Sequence, residues 1–330
     1  MDDTQALLGR LLRERPVVLD GADDIARWWR AFVAAEPASA SESAPARAFD
    51  RAVVAGFRAD RLAGAFAGGY QGALRALVGG TVADTQRLTD DVIASFCVSE
   101  PGGNSPRAIE TTLTPRAGGG FTLDGQKRWS TMAPVADVLL VAAHEGLDDA
   151  GRKRFALVRV DARAPGVTIA RMPATKFIPE IPHAELALRD VAVDADARLP
   201  GDGYNAYVKR FRTVEDIYIH GAVLGYFLGA ARRFAFPQTV VERTVAAIVA
   251  ARALAALDPD AATTHVALAG TLARDANLLD HSDAHWEKAD ERERTLWRRD
   301  RAGFGSVAGA LREARRVRAW ERLADPDGGG

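Results

Sequence analysis

The chain has 330 residues, 48% hydrophobic and 26% charged, a composition that suits about two or three ordinary globular domains. A formal net charge of -1 gives no global pull toward nucleic acid or an anionic membrane, so neither is an expected partner. The single cysteine, Cys97, excludes an internal disulfide framework and suits a reducing cytosol. The N-terminus, MDDTQALLGR, lacks the basic-then-apolar layout of a signal peptide. No stretch approaches the roughly 20 apolar residues that span a bilayer, so a cytoplasmic location is expected.

In chain order, ADDIARWWRAFVAA sets Ile25, Trp28, Trp29 and Phe32 at helical spacing. EPASASESAPAR follows without apolar periodicity and reads as a linker. Residues 48–78 are Ala-rich, with Phe49, Val53, Phe57, Leu62, Phe66 and Tyr70, and read as helices broken near Gly68 and Gly69. From about residue 92 the period changes. Asp124-Gly125 is a favoured pair for a two-residue hairpin turn. Residues 138–143, 155–162 and 184–193 are short strands set off by RAGGG, EGLDDAGR and APG, which predicts an antiparallel barrel or sandwich. After PGDGY the helical period returns in four stripes, through Ile217–Ala231, Val241–Leu254, Val266–Leu279 and Leu296–Val317, and predicts a bundle. The Gly328–Gly330 tail reads as disordered. The expected organisation is α+β: an N-terminal helical domain (1–91), a β domain (92–204) and a C-terminal helical bundle (205–327).

FCVSEPGGNS, GGGFTLDGQKRWSTMAPVADVLLVAA, PGVTI and LALRDVAVDADARLPGDGY together resemble, in order and spacing, the middle domain of the acyl-CoA dehydrogenase family. The paired signature is Ser-Glu-Pro-Gly at a strand end followed by Gly-Gln-Lys-x-Trp-x-Thr. The helix–barrel–helix layout matches that family's three domains. The resemblance implies an FAD-dependent oxidoreductase acting on an acyl thioester. It implies that Phe96, Val98, Ser99, Trp129, Ser130 and Thr131 line a slot for the flavin ring. Ser99 would serve the pyrimidine edge, Thr131 would donate to N5, and Trp129 would cover a ring face. Ser105 would bond the pantetheine arm of the substrate. Taken alone, Trp129 reads equally as a core aromatic.

The chain departs from the family at three places. Arg-x-x-Phe-Gly, which in the family contacts the flavin's diphosphate and adenosine, is replaced by RRFAFPQ, and the later Gln-x-x-Gly-Gly is missing. The last helices read as shortened. Counted from Arg299-Asp300, the family's usual Glu-Gly base position falls on Ala308-Gly309, and alanine cannot accept a proton. A minority of the family places the base on the first helix of the C-terminal domain. In TVEDIYIHGAVLG, Glu215 stands at that position, ten residues before Gly225. Adjacent Asp216 is able to raise its pKa, although both also read as first-turn helix residues favourable to the helix dipole.

Three functions stay open on these residues: α,β-dehydrogenation of an acyl thioester, a flavin monooxygenase of the same fold, and a non-catalytic homologue that binds or scaffolds. Ala-rich and Leu-rich helix faces after residue 215 offer more apolar surface than one shortened bundle buries, which predicts a homodimer or homotetramer through the C-terminal helices, and the first function implies an electron-transfer flavoprotein as acceptor. His281 and His285, four apart with Asp283 nearby, have a spacing able to bind Zn²⁺ but no fixed third ligand, and a polar helix face is the expected role. No metal is expected. The basic REARRVRAWER segment lacks interleaved aromatics for a nucleic-acid site. No dinucleotide-binding G-x-G-x-x-G and no serine nucleophile elbow are present.

Overall fold

The computed structural model describes residues 3–36, 44–79, 87–103, 105–306 and 308–325. Helices α1 (Asp3–Arg13), α2 (Ile25–Ala35), α3 (Ala44–Arg58) and α4 (Leu62–Gly79) precede the strands. Helices α5 (Lys209–Arg233), α6 (Gln238–Ala255), α7 (Ala262–Asp280), α8 (Asp283–Trp286), α9 (Glu291–Ser306) and α10 (Gly309–Ala324) follow them. The three segments of the sequence make two bodies: residues 1–76 fold with 213–330, and 77–212 form the other.

In the helical body, α2 follows the expected period: Ile25, Trp28, Trp29 and Phe32 are buried, and the Asp24 carboxylate caps the Arg27 amide. The expected break at Gly68-Gly69 is corrected, because α4 runs through both and the interruption lies at residues 59–61. A Cβ on Gly69 would lie 2.5 Å from the Ile219 Cα, so the glycine permits close helix packing. Gly225 repeats the device, since a Cβ there would lie 2.1 Å from the Val53 carbonyl oxygen. The expected fourth stripe is two helices, α9 and α10, parted at Ala308, which has φ 61; Val307 lies outside the described residues. So do residues 37–43 of the expected linker, whose last residues already belong to α3, and the Gly328–Gly330 tail. An aromatic cluster joins α5, α8 and α9, with Trp286 and Trp297 stacked at 4.6 Å beside Tyr226 and Phe227.

The other body is a seven-stranded sheet of β1 (Ala94–Cys97), β2 (Thr112–Pro115), β3 (Phe121–Thr131), β4 (Val138–Leu147), β5 (Lys153–Asp161), β6 (Val167–Arg171) and β7 (His183–Val193). Its order is β1-β4-β2-β3-β7-β6, with β5 also on β4. The helix–sheet–helix order is as expected, but the sheet is mixed. β1 pairs with β4 in parallel from Ala94↔Val138 to Cys97↔Val141, and β2 meets β4 in parallel at Thr112↔His144. Alternate residues of β4 and β5, such as Leu139, Val141, Val158 and Val160, fill the core.

The expected hairpin at Asp124-Gly125 is a second correction. Both residues lie inside β3, and the chain turns earlier, at residues 116–120. Gly125 has φ 152 and sits at a register shift against β7; a Cβ there would meet the Thr111 Oγ1 at 2.4 Å. The glycine serves a bulge and a close approach rather than a hairpin.

Candidate functional site

The expected cofactor residues divide between the end of β1 and the end of β3. Phe96 is buried, with its ring 4.3 Å from that of Phe211. Val98 and Ser99 are half-buried where β1 ends. β3 leaves its ladder with β7 between Lys127 and Ser130. There the Arg128 amide turns to donate to the Ser99 carbonyl at 2.7 Å. A further contact binds the segments: the Ser95 hydroxyl donates to the Thr131 carbonyl at 2.7 Å, while the buried Ser130 hydroxyl has no hydrogen-bond partner among the described residues. Ser99, Ser130 and Thr131 are thereby brought together on one edge.

Trp129 sits in this bulge. Its φ is 58 and it is 51% exposed, a conformation that a bulky residue adopts only under constraint, at a cost of about 1–3 kcal/mol. Its indole meets the edge of His183 at 5.7 Å and 74°. Burial pushes the His183 imidazole below its ordinary value, with the Ile181 backbone opposing, so the ring is neutral at neutral pH. The core-aromatic reading of Trp129 is therefore set aside. A half-exposed indole beside two half-buried hydroxyl residues matches the donor and stacking needs of a flat heteroaromatic ring.

Beneath this edge lies an ion pair. The Lys127 ammonium, wholly inaccessible, meets the Glu100 Oε1 at 2.7 Å. The same oxygen accepts from the Thr111 hydroxyl at 2.7 Å and the Thr111 amide at 3.1 Å, while Oε2 accepts from the Glu110 amide at 2.9 Å. Burial raises the Glu100 carboxyl, but the Lys127 charge and these donors outweigh it and hold it below the ordinary range. Burial lowers the Lys127 ammonium, which Glu100 opposes only in part. Burial likewise pushes the Cys97 thiol up, leaving it protonated and inert. Glu100 and Lys127 stand inside the two signature motifs, yet as sequence they mark only family likeness; His183 carries no sequence signal. Ser105 is exposed and opens the short turn Pro106–Ala108.

Glu215 belongs to the helical body, buried on α5. Asp216 beside it is also buried, with its two oxygens each 3.2 Å from Arg312 and Arg315 of α10. Arg315 also donates to the Thr213 hydroxyl at 3.2 Å. Among the described residues no group of His, Cys, Asp and Glu is arranged to hold a metal. His281 bonds the Asn277 carbonyl and His285 packs on the Phe236 ring. No described helix is long and apolar enough to cross a membrane.

A family model for the acyl-CoA dehydrogenase middle domain matches residues 95–191. Benzylmalonyl-CoA dehydrogenase of Aromatoleum aromaticum is 32% identical over 160 residues, 47% of this chain and 40% of that protein. In sequence, the chain spans less than half the length of the curated relatives it matches. Among solved structures, butyryl-CoA dehydrogenase from Megasphaera elsdenii matches with TM-score 0.67 at 15% identity, covering 98% of this chain and 99% of that one. PigA with FAD and proline matches with TM-score 0.68 at 15% identity, covering 97% and 98%. The motifs of the mixed sheet, its matched residues and the fold around it agree: residues 95–191 are similar to the acyl-CoA dehydrogenase middle domain, and the fold is that of butyryl-CoA dehydrogenase.

Proposed function

We propose that the chain is a flavin-dependent oxidoreductase that dehydrogenates an acyl thioester at its α and β carbons. The observation that carries this reading is Trp129, held at φ 58 and half-exposed beside Ser99 and Thr131. Strain of that kind persists where the surroundings enforce it, and here it leaves a half-exposed indole on a polar edge. The bound FAD would supply the hydride acceptor. Trp129 would cover a ring face, Ser99 and Thr131 would offer hydrogen bonds to the ring's polar edge, and Phe96, Val98 and Ser130 would back the slot. Ser105, on its exposed turn, would bond the pantetheine arm. The adenosine half of FAD meets no Arg-x-x-Phe-Gly or Gln-x-x-Gly-Gly in this sequence, so FAD retention is expected to rest on the ring-side contacts and to be weaker than in a chain that carries both motifs.

Glu215 is the proposed base for the α proton. Ala308, at the usual position, carries no proton acceptor, and the Asp216 carboxylate is committed to Arg312 and Arg315. A positioned base contributes about 10²–10⁴-fold in rate. Glu215→Gln should therefore abolish flavin bleaching by an acyl-CoA while fold and flavin content persist. Asp216→Asn should do less, since its side chain points about 100° round the helix. Equal bleaching rates in wild type and Glu215→Gln would remove Glu215 from the mechanism. The family's acyl-CoA thioesters are the proposed substrates, an electron-transfer flavoprotein the proposed acceptor, and a homodimer or homotetramer through the C-terminal helices the proposed assembly. Ala308 also favours a second reading, oxygen activation or a non-catalytic role. Flavin that binds but is never reduced by an acyl-CoA would select it.

A further inference from the structure

The Glu100–Lys127 pair reaches beyond its own two residues. Glu100 follows Ser99 directly. Lys127 lies two residues before Trp129. The amides of Glu110 and Thr111, both donating to the Glu100 carboxylate, close the loop that carries Ser105. Lys127 also reaches the Val98 carbonyl at 3.4 Å. The far side of the loop is tied by Lys153, whose ammonium donates to the Ile109 carbonyl at 2.8 Å and pairs with Glu110 at 2.6 Å. Glu100 also closes its own tight turn, exchanging backbone bonds of 2.9 Å in both directions with Gly103. One buried carboxylate thus gathers three chain segments, and each segment bears a residue of the proposed flavin or substrate contacts.

Burying an ion pair is a poor route to stability, because desolvation consumes most of the attraction and apolar residues of equal volume often do as well. What an ion pair adds is direction. Four donors must converge on two oxygens, so the segments hold one mutual register, which an apolar plug would leave free to slide.

We propose that Glu100 and Lys127 act as a positioning pair that fixes the ring-facing edge (Ser99, Trp129, Thr131) and the Ser105 loop in one geometry, coupling cofactor and substrate contacts. The coupling to function rests on the flavin reading above; the coupling among the segments does not. Neither residue is placed in contact with substrate or ring.

The test uses the whole chain as Lys127→Met, with Glu100→Gln/Lys127→Met as a second variant that removes both charges if the first fails to fold. Amide hydrogen exchange is followed without cofactor, and FAD is then titrated while its visible spectrum is recorded. In the variants, exchange at the Glu110, Thr111 and Arg128 amides should rise together, by about tenfold or more, while β4–β5 core amides such as Val141 and Val158 stay protected. FAD should bind about tenfold more weakly, with a shifted spectrum. Unchanged exchange, or a rise confined to one segment, overturns the positioning pair. Coordinated exchange with unchanged FAD affinity and spectrum overturns its link to the cofactor. If wild type itself binds no flavin, the flavin reading fails, and exchange alone still decides whether the pair couples the segments.

Discussion

Gly225→Ala tests the helical body where its packing is tightest. The substitution alone favours a helix, because alanine exceeds glycine by about 1 kcal/mol in helix propensity. The structure opposes it. The new Cβ would stand 2.1 Å from the Val53 carbonyl oxygen, 3.0 Å from its carbon and 3.2 Å from the Phe57 nitrogen. All three are backbone atoms of α3, so no side chain can swing away. α3 and α5 must part by more than about 1 Å to restore ordinary contact, opening the buried packing of Phe49, Val53 and Phe57. Overpacking of this kind costs about 1–3 kcal/mol, and more where backbone must move. The clash outweighs the propensity, and a net loss of about 2 kcal/mol is expected, or roughly 1 M in the urea midpoint. Gly270→Ala on α7 is the internal control. A Cβ there meets nothing within 4 Å, so it should stabilise by about 0.4–1 kcal/mol. Both midpoints are read by urea unfolding under one condition. A neutral or stabilising Gly225→Ala would refute the close crossing of α3 and α5, and with it the placement of the helix that bears Glu215.

Other outcomes follow from the same structure. Trp129→Ala should weaken flavin retention by about 0.5–1.5 kcal/mol beyond lost area, and Thr131→Ala should shift the bound spectrum; unchanged occupancy and spectrum in both would place the cofactor elsewhere. Acid should destabilise the chain partly through Glu36. Burial raises this carboxyl, but Arg10 and Arg58 hold it below the ordinary range. Its contribution is therefore complete above the ordinary glutamate value and lost as pH falls through the lowered one. Glu36→Gln should flatten the fall of the melting temperature in acid, and an identical acid slope in the variant would discount the cluster. Light scattering at micromolar protein should give a dimer or tetramer, and a monomer alone would contradict the proposed assembly.

Much of this protein was legible in its sequence where the signal was local or carried by a motif. The Trp28–Phe32 stripe, the strands β4, β5 and β7 and the paired Ser-Glu-Pro-Gly and Gly-Gln-Lys-x-Trp-x-Thr signature all read directly, whereas β6 did not. What was illegible depended on distant partners. Gly68-Gly69 has the composition of a break, but its meaning is set by Ile219, 150 residues away in the chain. Asp124-Gly125 has a hairpin's chemistry, but Thr111 and the register with β7 decide its use. The parallel pairing of β1 with β4 leaves no trace in either strand's alternation, because pairing direction is a property of two segments together. Glu100 and Lys127 were visible as letters, whereas their pairing required the fold. Trp129 was visible as a candidate, whereas its left-handed backbone and its contact with His183 were not.

The central claim is that this chain binds a flavin and reduces it with an acyl thioester. The direct measurement is an anaerobic titration of the FAD-loaded protein with acyl-CoAs of increasing chain length, followed in the visible flavin bands. The account predicts bleaching with at least one acyl-CoA, lost in Glu215→Gln and restored to the oxidised spectrum by an electron acceptor. A protein that takes up no FAD, or takes it up and keeps its oxidised spectrum with every acyl-CoA, would contradict it.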